Sequence, residues 1–382
     1  MTYAAPSTAA ATNSRNATPP DSSPWLFSRN ADLWSFGGST ALALALVLLG
    51  AAAGWLDNDS PEWTWVGSIL LVDVAHVWAT GFRVYFAPAE LKRRPWLYGL
   101  TPALAWLLGA SVYSESESAF WRCMAYLAVF HFVRQQAGWV AIYRAKSGDR
   151  THTTRWVDTL AIYSATVWPL IWWHGQLPRA FWWFRSHDFV AIPNWVGTAT
   201  APLYAAFLAA YLLRSLQLGL MQRRWNPGKD LVVASTAVCW FLGIVALNSD
   251  YAFMVTNVLI HGIPYLVLVH RFQTHARSGD SNTAAHDSPP CVDARAPNRR
   301  SLFAQWYWFL ATVWCLAYFE EFLWDRGVWH ERAWLFGAAW QLDLRVWLVP
   351  LLAVPQLTHY LLDGAIWRRK SNPSVGKFLA GR

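Results

Sequence analysis

Ten apolar segments, each close to the length needed to cross a lipid bilayer, constrain this chain more than any other feature. A helix needs about 20 mostly apolar residues to span the hydrocarbon core, and it satisfies its own backbone hydrogen bonds in lipid. The segments cover residues 33–56, 63–86, 96–113, 119–143, 156–173, 198–218, 231–247, 251–272, 302–323 and 344–367. They predict an all-α fold, a polytopic integral membrane bundle of about ten transmembrane helices.

The composition supports a membrane protein and argues against other classes. Hydrophobic residues make up 55% of the 382 residues and charged residues only 14%, which is too little charge for the surface of a soluble domain. The four cysteines are scattered without a CxxC pair, which argues against a disulfide scaffold. The formal net charge of +8 comes from basic residues in short loops between apolar segments, so we expect no nucleic acid partner.

The charges of the loops predict the orientation of the chain. Basic residues follow every even-numbered segment, within the stretches 92–94, 144–155, 223–229, 271–300 and 368–370, whereas the intervening loops are acidic or mixed. Because cytoplasmic loops carry the excess of Lys and Arg, the even-numbered exits are predicted to be cytoplasmic. Both termini are then cytoplasmic, and the protein is predicted to lie in a bacterial-type inner (cytoplasmic) membrane.

The sequence outside the apolar segments predicts the domain organisation. Residues 1–32 are rich in Ala, Ser, Thr, Asn and Pro and are predicted to be a disordered cytoplasmic tail. Residues 33–367 form the transmembrane domain, which contains a flexible cytoplasmic loop at 273–300. Residues 368–382 form a basic cytoplasmic tail. The short amphipathic stretch 180–190 is expected to lie at the membrane interface.

Four histidines inside even-numbered segments carry the functional signal. An ionisable side chain within a bilayer is costly, so it marks a candidate functional site. Counted back from the cytoplasmic ends of their helices, His76, His131, His261 and His359 lie roughly 15, 18, 16 and 12 Å deep. Four imidazoles at one depth can converge if their helices form an inner ring.

Each of these histidines has a polar companion on the same helix face, three or four residues away. The pairs are Asp73 with His76, His131 with Gln135, His261 with Tyr265, and His359 with Asp363. A carboxylate at this spacing can be a second ligand or can orient the imidazole. We therefore predict metal ligation by the four histidines together with Asp73 and Asp363, with His270 as a further ligand. Tyr265 and Gln135 are the catalytic candidates beside them.

This number of ligand groups predicts two metal ions. A closed zinc site uses four protein ligands and a catalytic zinc uses three, so six or more groups are surplus for one zinc ion. Imidazole and carboxylate suit iron, manganese or zinc, and two iron ions are favoured. Zinc is the alternative metal. Haem is less favoured, because it would leave the carboxylates unexplained.

The favoured function is a di-iron oxidase, a hydroxylase or desaturase acting on a lipid or another apolar small molecule from the bilayer. No dinucleotide-binding motif is present, so an external electron donor is expected. A zinc-dependent membrane lipid hydrolase and a proton- or metal-coupled transporter are alternatives. A further alternative is four unrelated histidines, each bonded to a polar partner between helices. An enzyme site is expected to be closed toward the periplasm, whereas a transporter should have polar residues continuing outward.

Overall fold

The computed structural model describes residues 23–149, 151–284, 299–341 and 344–379, and the regular structure in these residues is helical throughout. Ten long helices in the described residues each overlap one predicted apolar segment. They are α1 (Arg29–Ala53), α2 (Glu62–Arg83), α3 (Pro95–Glu115), α4 (Glu117–Lys146), α5 (His152–Gly175), α6 (Trp195–Met221), α7 (Pro227–Ala246), α8 (Asp250–Phe253, Met254–Val258 and Leu259–Ala284), α9 (Arg299–Trp324) and α10 (Arg345–Leu352 and Val354–Ile366). The prediction of an all-helical fold is confirmed.

Five of these helices, α1, α2, α6, α7 and α8, are long and apolar enough to cross a membrane. Helices α3, α4, α5 and α9 are richer in Trp, Tyr and polar residues, and α10 is interrupted after Leu352. Aromatic rings at membrane interfaces lower the average hydropathy of a helix while still anchoring it. The structure is therefore compatible with an integral membrane protein, and the count of ten spans stays a prediction.

Local sequence signals explain where the helices begin and end. The Ser116 hydroxyl accepts a hydrogen bond from the Ala119 amide at 3.2 Å and caps α4, which satisfies one of the unpaired amides of its first turn. Helix α1 ends at Gly54, which has a φ of 75°. Only glycine adopts this left-handed conformation without strain from a side chain, so the helix stops there.

The basic loops and both described chain ends lie together at one end of the bundle. The Lys146 ammonium donates to the Leu26 carbonyl at 2.9 Å, and the Arg93 guanidinium donates to the Ser371 carbonyl at 2.6 Å. Contacts among the acidic loops mark the opposite end, which we call the acidic end: Ser60 with Asp250, Glu62 with Arg332, and Glu117 with Arg185.

The structure corrects the prediction of a disordered tail for the part of 1–32 that it describes. Leu26 is buried, and helix α1 begins at Arg29 rather than at residue 33. The buried Asp32 carboxylate accepts hydrogen bonds from the amides of Leu26 and Phe27 and from the Tyr143 hydroxyl. Side-chain hydrogen bonding thus orders residues that a polar composition marks as disordered. Residues 1–22 lie outside the described part.

Two regions outside the ten predicted segments also contain helix. The C-terminal tail includes a 3₁₀ turn at Arg369–Ser371 and a helix at Pro373–Leu379, and Phe378 of this helix packs against Phe272 with ring centroids 5.3 Å apart. Within the predicted flexible loop 273–300, α8 continues to Ala284 and α9 begins at Arg299. Residues 285–298 lie outside the described part.

The stretch 180–190 is non-helical and packs into the acidic end. Phe181 and Phe189 are buried against Trp173, with ring centroids 5.0 and 4.5 Å from that indole. Phe181 and Phe189 fill a gap between helices, so part of the stretch faces the protein interior.

Helices α2, α4, α8 and α10 form the centre of the molecule. Helix α2 packs on α8 and α10, and α4 packs on the same two helices. Since these are the four helices that carry the interior histidines, their packing brings the predicted site residues together.

Candidate metal centre

The four histidines predicted from the sequence converge where α2, α4, α8 and α10 meet. His76, His131, His261 and His359 have exposed fractions of 1%, 4%, 0% and 1%. Each histidine is on a different helix, so the closeness of the four side chains results from packing between helices and not from their spacing along one helix. We call this group the histidine cluster.

The imidazoles contact one another directly. Nε2 of His76 lies 3.1 Å from Nε2 of His261, and Nε2 of His359 lies 3.0 Å from Nε2 of His131. Ring centroids across the two pairs are also close, at 4.8 Å for His76 and His359 and 5.1 Å for His131 and His261. The histidines therefore share one compact volume instead of pairing with four separate polar residues.

Three of the histidines could hold a metal ion. His76, His131 and His359 each offer one ligand atom, and these three atoms lie within 4.8 Å of one another. Among the described residues, this is the one group of three or more His, Cys, Asp or Glu side chains that are so close. His261 adjoins the group through its contact with His76. The geometry supplies three or four imidazoles for one ion, which is fewer ligands than the predicted two-iron site requires.

The two predicted carboxylates lie beside the cluster. Asp73 Oδ1 is 3.5 Å from Nδ1 of His76, a position from which it can orient that imidazole. Asp363 faces the Tyr265 hydroxyl and the Trp367 indole. Neither carboxylate belongs to the group of close ligand atoms, which favours an orienting role over ligation.

Thr80 is a site residue that the sequence analysis missed. Its hydroxyl lies 2.6 Å from Nδ1 of His359 and 3.3 Å from the hydroxyl of Tyr265. The Trp367 indole in turn donates to the Tyr265 hydroxyl at 3.4 Å. Thr80 follows His76 by four residues on the same helix face, so the spacing rule could have found it.

The other predicted residues have different positions. The Gln135 amide donates to the backbone carbonyl of His261 at 2.8 Å, close to Pro264 inside α8, so Gln135 supports the α8 backbone. His270 follows His261 by nine residues, about 14 Å along the helix, and its ring stacks on Trp306 with centroids 3.8 Å apart. This distance separates His270 from the histidine cluster.

Two aromatic rings cover the histidine cluster. Phe132 stacks on His261 with ring centroids 3.6 Å apart and an interplanar angle of 7°. Tyr360 stacks on His131 at 5.0 Å and 27°. Flat stacking fixes both imidazole planes, since the rings leave little room for rotation.

A cavity of about 770 Å³ connects these rings with the acidic end, and we call it the acidic cavity. Its mouth is formed by the exposed loop residues 57–59, and its inner end is lined by Asp73, Phe132 and Tyr360. Seven carboxylate residues line it: Asp57, Asp59, Glu62, Asp73, Asp250, Glu321 and Glu331. Polar residues thus line the cavity from the acidic end to the rings beside the cluster.

The sequence matches no protein-family model, and comparisons with curated proteins and with solved structures give no match, so the interpretation of this site depends on its own geometry.

Proposed function

We propose that this protein is an integral membrane, metal-dependent enzyme of the oxidoreductase class. One metal ion is bound by His76, His131 and His359, with His261 as the fourth ligand. The observation that carries the proposal is the convergence of four buried imidazoles, two pairs of which have Nε2 atoms 3.0 and 3.1 Å apart. A shared metal ion would take the lone pairs of these facing Nε2 atoms, which otherwise meet only another imidazole.

The number of imidazoles favours iron. A catalytic zinc ion keeps three protein ligands, whereas four buried imidazoles converge here. Imidazole also suits iron, and iron held by these four residues would supply dioxygen activation.

A zinc-dependent hydrolase is the second candidate function. It is favoured by the group of three ligand atoms within 4.8 Å, since catalytic zinc sites keep three protein ligands and one open position for water. The two functions differ in the role of His261. It is a metal ligand in the iron enzyme and a packing residue under Phe132 in the zinc enzyme.

The protein residues have separate tasks in this proposal. Thr80 holds the Nδ1 side of His359, and Tyr265 extends that hydrogen-bonded chain to Trp367. Phe132 and Tyr360 separate the centre from the water-accessible cavity, which protects a reactive oxidant from bulk solvent. An external electron donor completes the redox cycle, and ten membrane spans with both termini cytoplasmic complete the proposed topology.

The test is the metal content of the protein purified in mild detergent. The proposal predicts about one iron per chain, and zinc at one per chain would select the hydrolase. His76→Ala, His131→Ala and His359→Ala should each lower metal content while leaving the protein inserted in the membrane, because each removes a ligand without shortening a helix. His261→Ala should do the same for iron and should leave zinc binding nearly unchanged.

Histidines outside the cluster provide the matched controls. His152→Ala and His330→Ala remove an imidazole at either end of the bundle and should retain the full metal content. If all four cluster variants keep their full metal content, the cluster histidines serve only to form hydrogen bonds with one another.

A further inference from the structure

The acidic cavity has properties that suit a positively charged organic molecule. We propose that it admits an organic cation with an apolar body from the acidic end and guides it toward the histidine cluster. This inference rests on the proposed function and adds to it the chemical class of the substrate. Binding of the cation itself requires only the cavity.

The first observation that supports a cation site is the negative charge of the cavity lining. Seven carboxylate residues face the cavity, and Arg332 is the single Lys or Arg among the described lining residues. The Arg332 guanidinium is paired with Glu62 at 3.3 Å and with Glu331 at 3.0 Å, so its charge is already balanced. A surplus of negative charge remains, and a cleft with low-dielectric walls concentrates the field of such charges on a cation.

The second observation is that the carboxylate of Glu321 has no partner in the described part of the chain. It is 8% exposed, it lines the cavity, and its carboxylate accepts no hydrogen bond and forms no ion pair within the described residues. Its neighbour Glu320 differs, because its carboxylate accepts hydrogen bonds from the indoles of Trp78 at 2.6 Å and Trp324 at 3.4 Å. A buried carboxylate without a partner is costly, and a bound cation would supply the missing partner.

The third observation is that aromatic side chains form part of the cavity wall. Indole side chains of Trp65, Trp121, Trp183 and Trp324 line the cavity together with the acids. The faces of such rings attract cations. The cavity already contains one example, since the Arg332 guanidinium lies 3.9 Å from the ring centre of Trp65. The aromatic surface also accommodates an apolar body.

The size of the cavity distinguishes an organic cation from a metal ion. A volume of about 770 Å³ falls in the range of small-molecule sites, roughly 300–1,000 Å³. Between Glu62 at the mouth and Asp73 at the inner end, α2 rises by eleven residues, or about 16 Å. A bare metal ion needs neither this volume nor an aromatic wall.

The experiment compares two probes of similar shape and opposite charge, benzyltrimethylammonium and benzylsulfonate. Their binding to the full-length protein in a neutral detergent is measured by isothermal titration calorimetry. The cation should bind and the anion should not. Glu321→Gln should weaken binding of the cation by at least about tenfold, because it removes the carboxylate that would pair with the ligand. Equal binding of the two probes, or no binding of the cation, would overturn the proposal.

Two further variants make the result specific. Glu115→Gln removes an exposed carboxylate at the acidic end outside the cavity lining, so it should leave the affinity for the cation within about twofold of the original. If Glu321→Gln fails to fold, Asp57→Asn with Asp59→Asn tests the exposed mouth. This pair should slow association of the cation, and an unchanged association rate would contradict the proposal.

Metal analysis of the same samples separates this inference from the proposed function. A protein that binds the cation but contains no metal would refute the metal-dependent enzyme and retain the cation site. A protein with metal in the histidine cluster but no affinity for benzyltrimethylammonium would refute the cation site alone.

Discussion

At the scale of single residues, hydrogen bonds beyond the histidines determine how the imidazoles are held. A ligating imidazole is oriented by whatever bonds its other nitrogen. For His359 that partner is the Thr80 hydroxyl at 2.6 Å, whereas Nδ1 of His76 makes no hydrogen bond within the described residues and lies 3.5 Å from the Asp73 carboxylate. The shorter contact fixes the ring more tightly, so Thr80 is the sharper target for mutation.

Thr80→Val should weaken metal affinity by roughly 10–100-fold, because valine keeps the shape of threonine and removes the hydrogen bond to His359. Metal affinity measured by competition with a chelator checks this result. Thr358→Val is the matched control. Thr358 directly precedes His359 in the sequence, and its buried hydroxyl has no hydrogen-bond partner among the described residues. Equal metal loss in both variants would contradict an orienting role for Thr80.

At the scale of helices, close packing of α2 against α8 places His76 next to His261. Gly262 makes this approach possible, because a Cβ at that position would lie 2.5 Å from Cγ1 of Val72 and 3.2 Å from the Val72 carbonyl oxygen. The second contact is with backbone, which cannot move aside as a side chain can. Glycine is therefore required by the helix spacing.

Gly262→Ala should push α8 away from α2 and lower both metal content and stability, the latter by about 1–3 kcal/mol. The measurements are metal analysis and thermal unfolding in detergent. The control is Gly364→Ala on α10, where a Cβ would contact nothing within 4 Å. That variant should keep its metal and be slightly more stable, since alanine favours a helix over glycine. A fully metallated Gly262→Ala protein would argue against helix spacing as the reason for this glycine.

The connection after α2 is held by a buried ion pair. The Glu90 carboxylate is 3.2 Å from the Arg83 guanidinium and also accepts hydrogen bonds from Arg93 and Tyr98. Burial acts to raise the pKa of Glu90, but the hydrogen bonds from Arg93 and Tyr98 and the charge of Arg83 outweigh it and lower the pKa. The charged form of Glu90 is therefore the stabilising form.

Glu90→Gln should destabilise the protein by about 3–5 kcal/mol at neutral pH, because it leaves the buried Arg83 without its counter-charge. The folded-state pKa of Glu90 is lowered, so its contribution is present above the unfolded pKa of about 4.3 and is lost as pH falls through the folded pKa. The difference in melting temperature between the variant and the original protein should then shrink below about pH 4. A difference that stays constant down to pH 3 would exclude this ion pair as the cause.

At the scale of the whole molecule, the two ends of the bundle have opposite electrostatic character. The basic end contains both described chain ends, and the acidic end contains the mouth of the cavity. If the basic end faces the cytoplasm, as the loop charges predict, the cavity opens to the periplasm. Access to the acidic cavity is then from water outside the cell.

Topology reporters test this orientation. A reporter fused after Arg382 should be cytoplasmic, and one inserted near Glu117 should be periplasmic, because basic loops are retained on the cytoplasmic side. Activity of paired reporters that respond to opposite compartments gives the measurement. The reverse pattern would turn the cavity toward the cytoplasm and would make an external organic cation an unsuitable substrate.

The sequence by itself determined the helical class and the positions of the helices, and it predicted one common depth for the four histidines. These follow from local chemistry, since hydropathy sets helix length and a fixed rise per residue sets depth. Sequence spacing also found the carboxylates near His76 and His359, but it counted both carboxylates and His270 as metal ligands. It therefore predicted two metal ions and included His270, which lies about 14 Å along α8 from His261.

Only the tertiary structure decided which neighbours meet. Thr80 contacts His359 across 279 residues of sequence, and Glu321 on α9 faces the same cavity as Asp73 on α2. Such contacts depend on which helices are adjacent and on how each is rotated, and helical periodicity gives only the faces of one helix. The acidic cavity likewise arises from loops far apart in the sequence, whose carboxylates are brought to one end by packing of the helices between them.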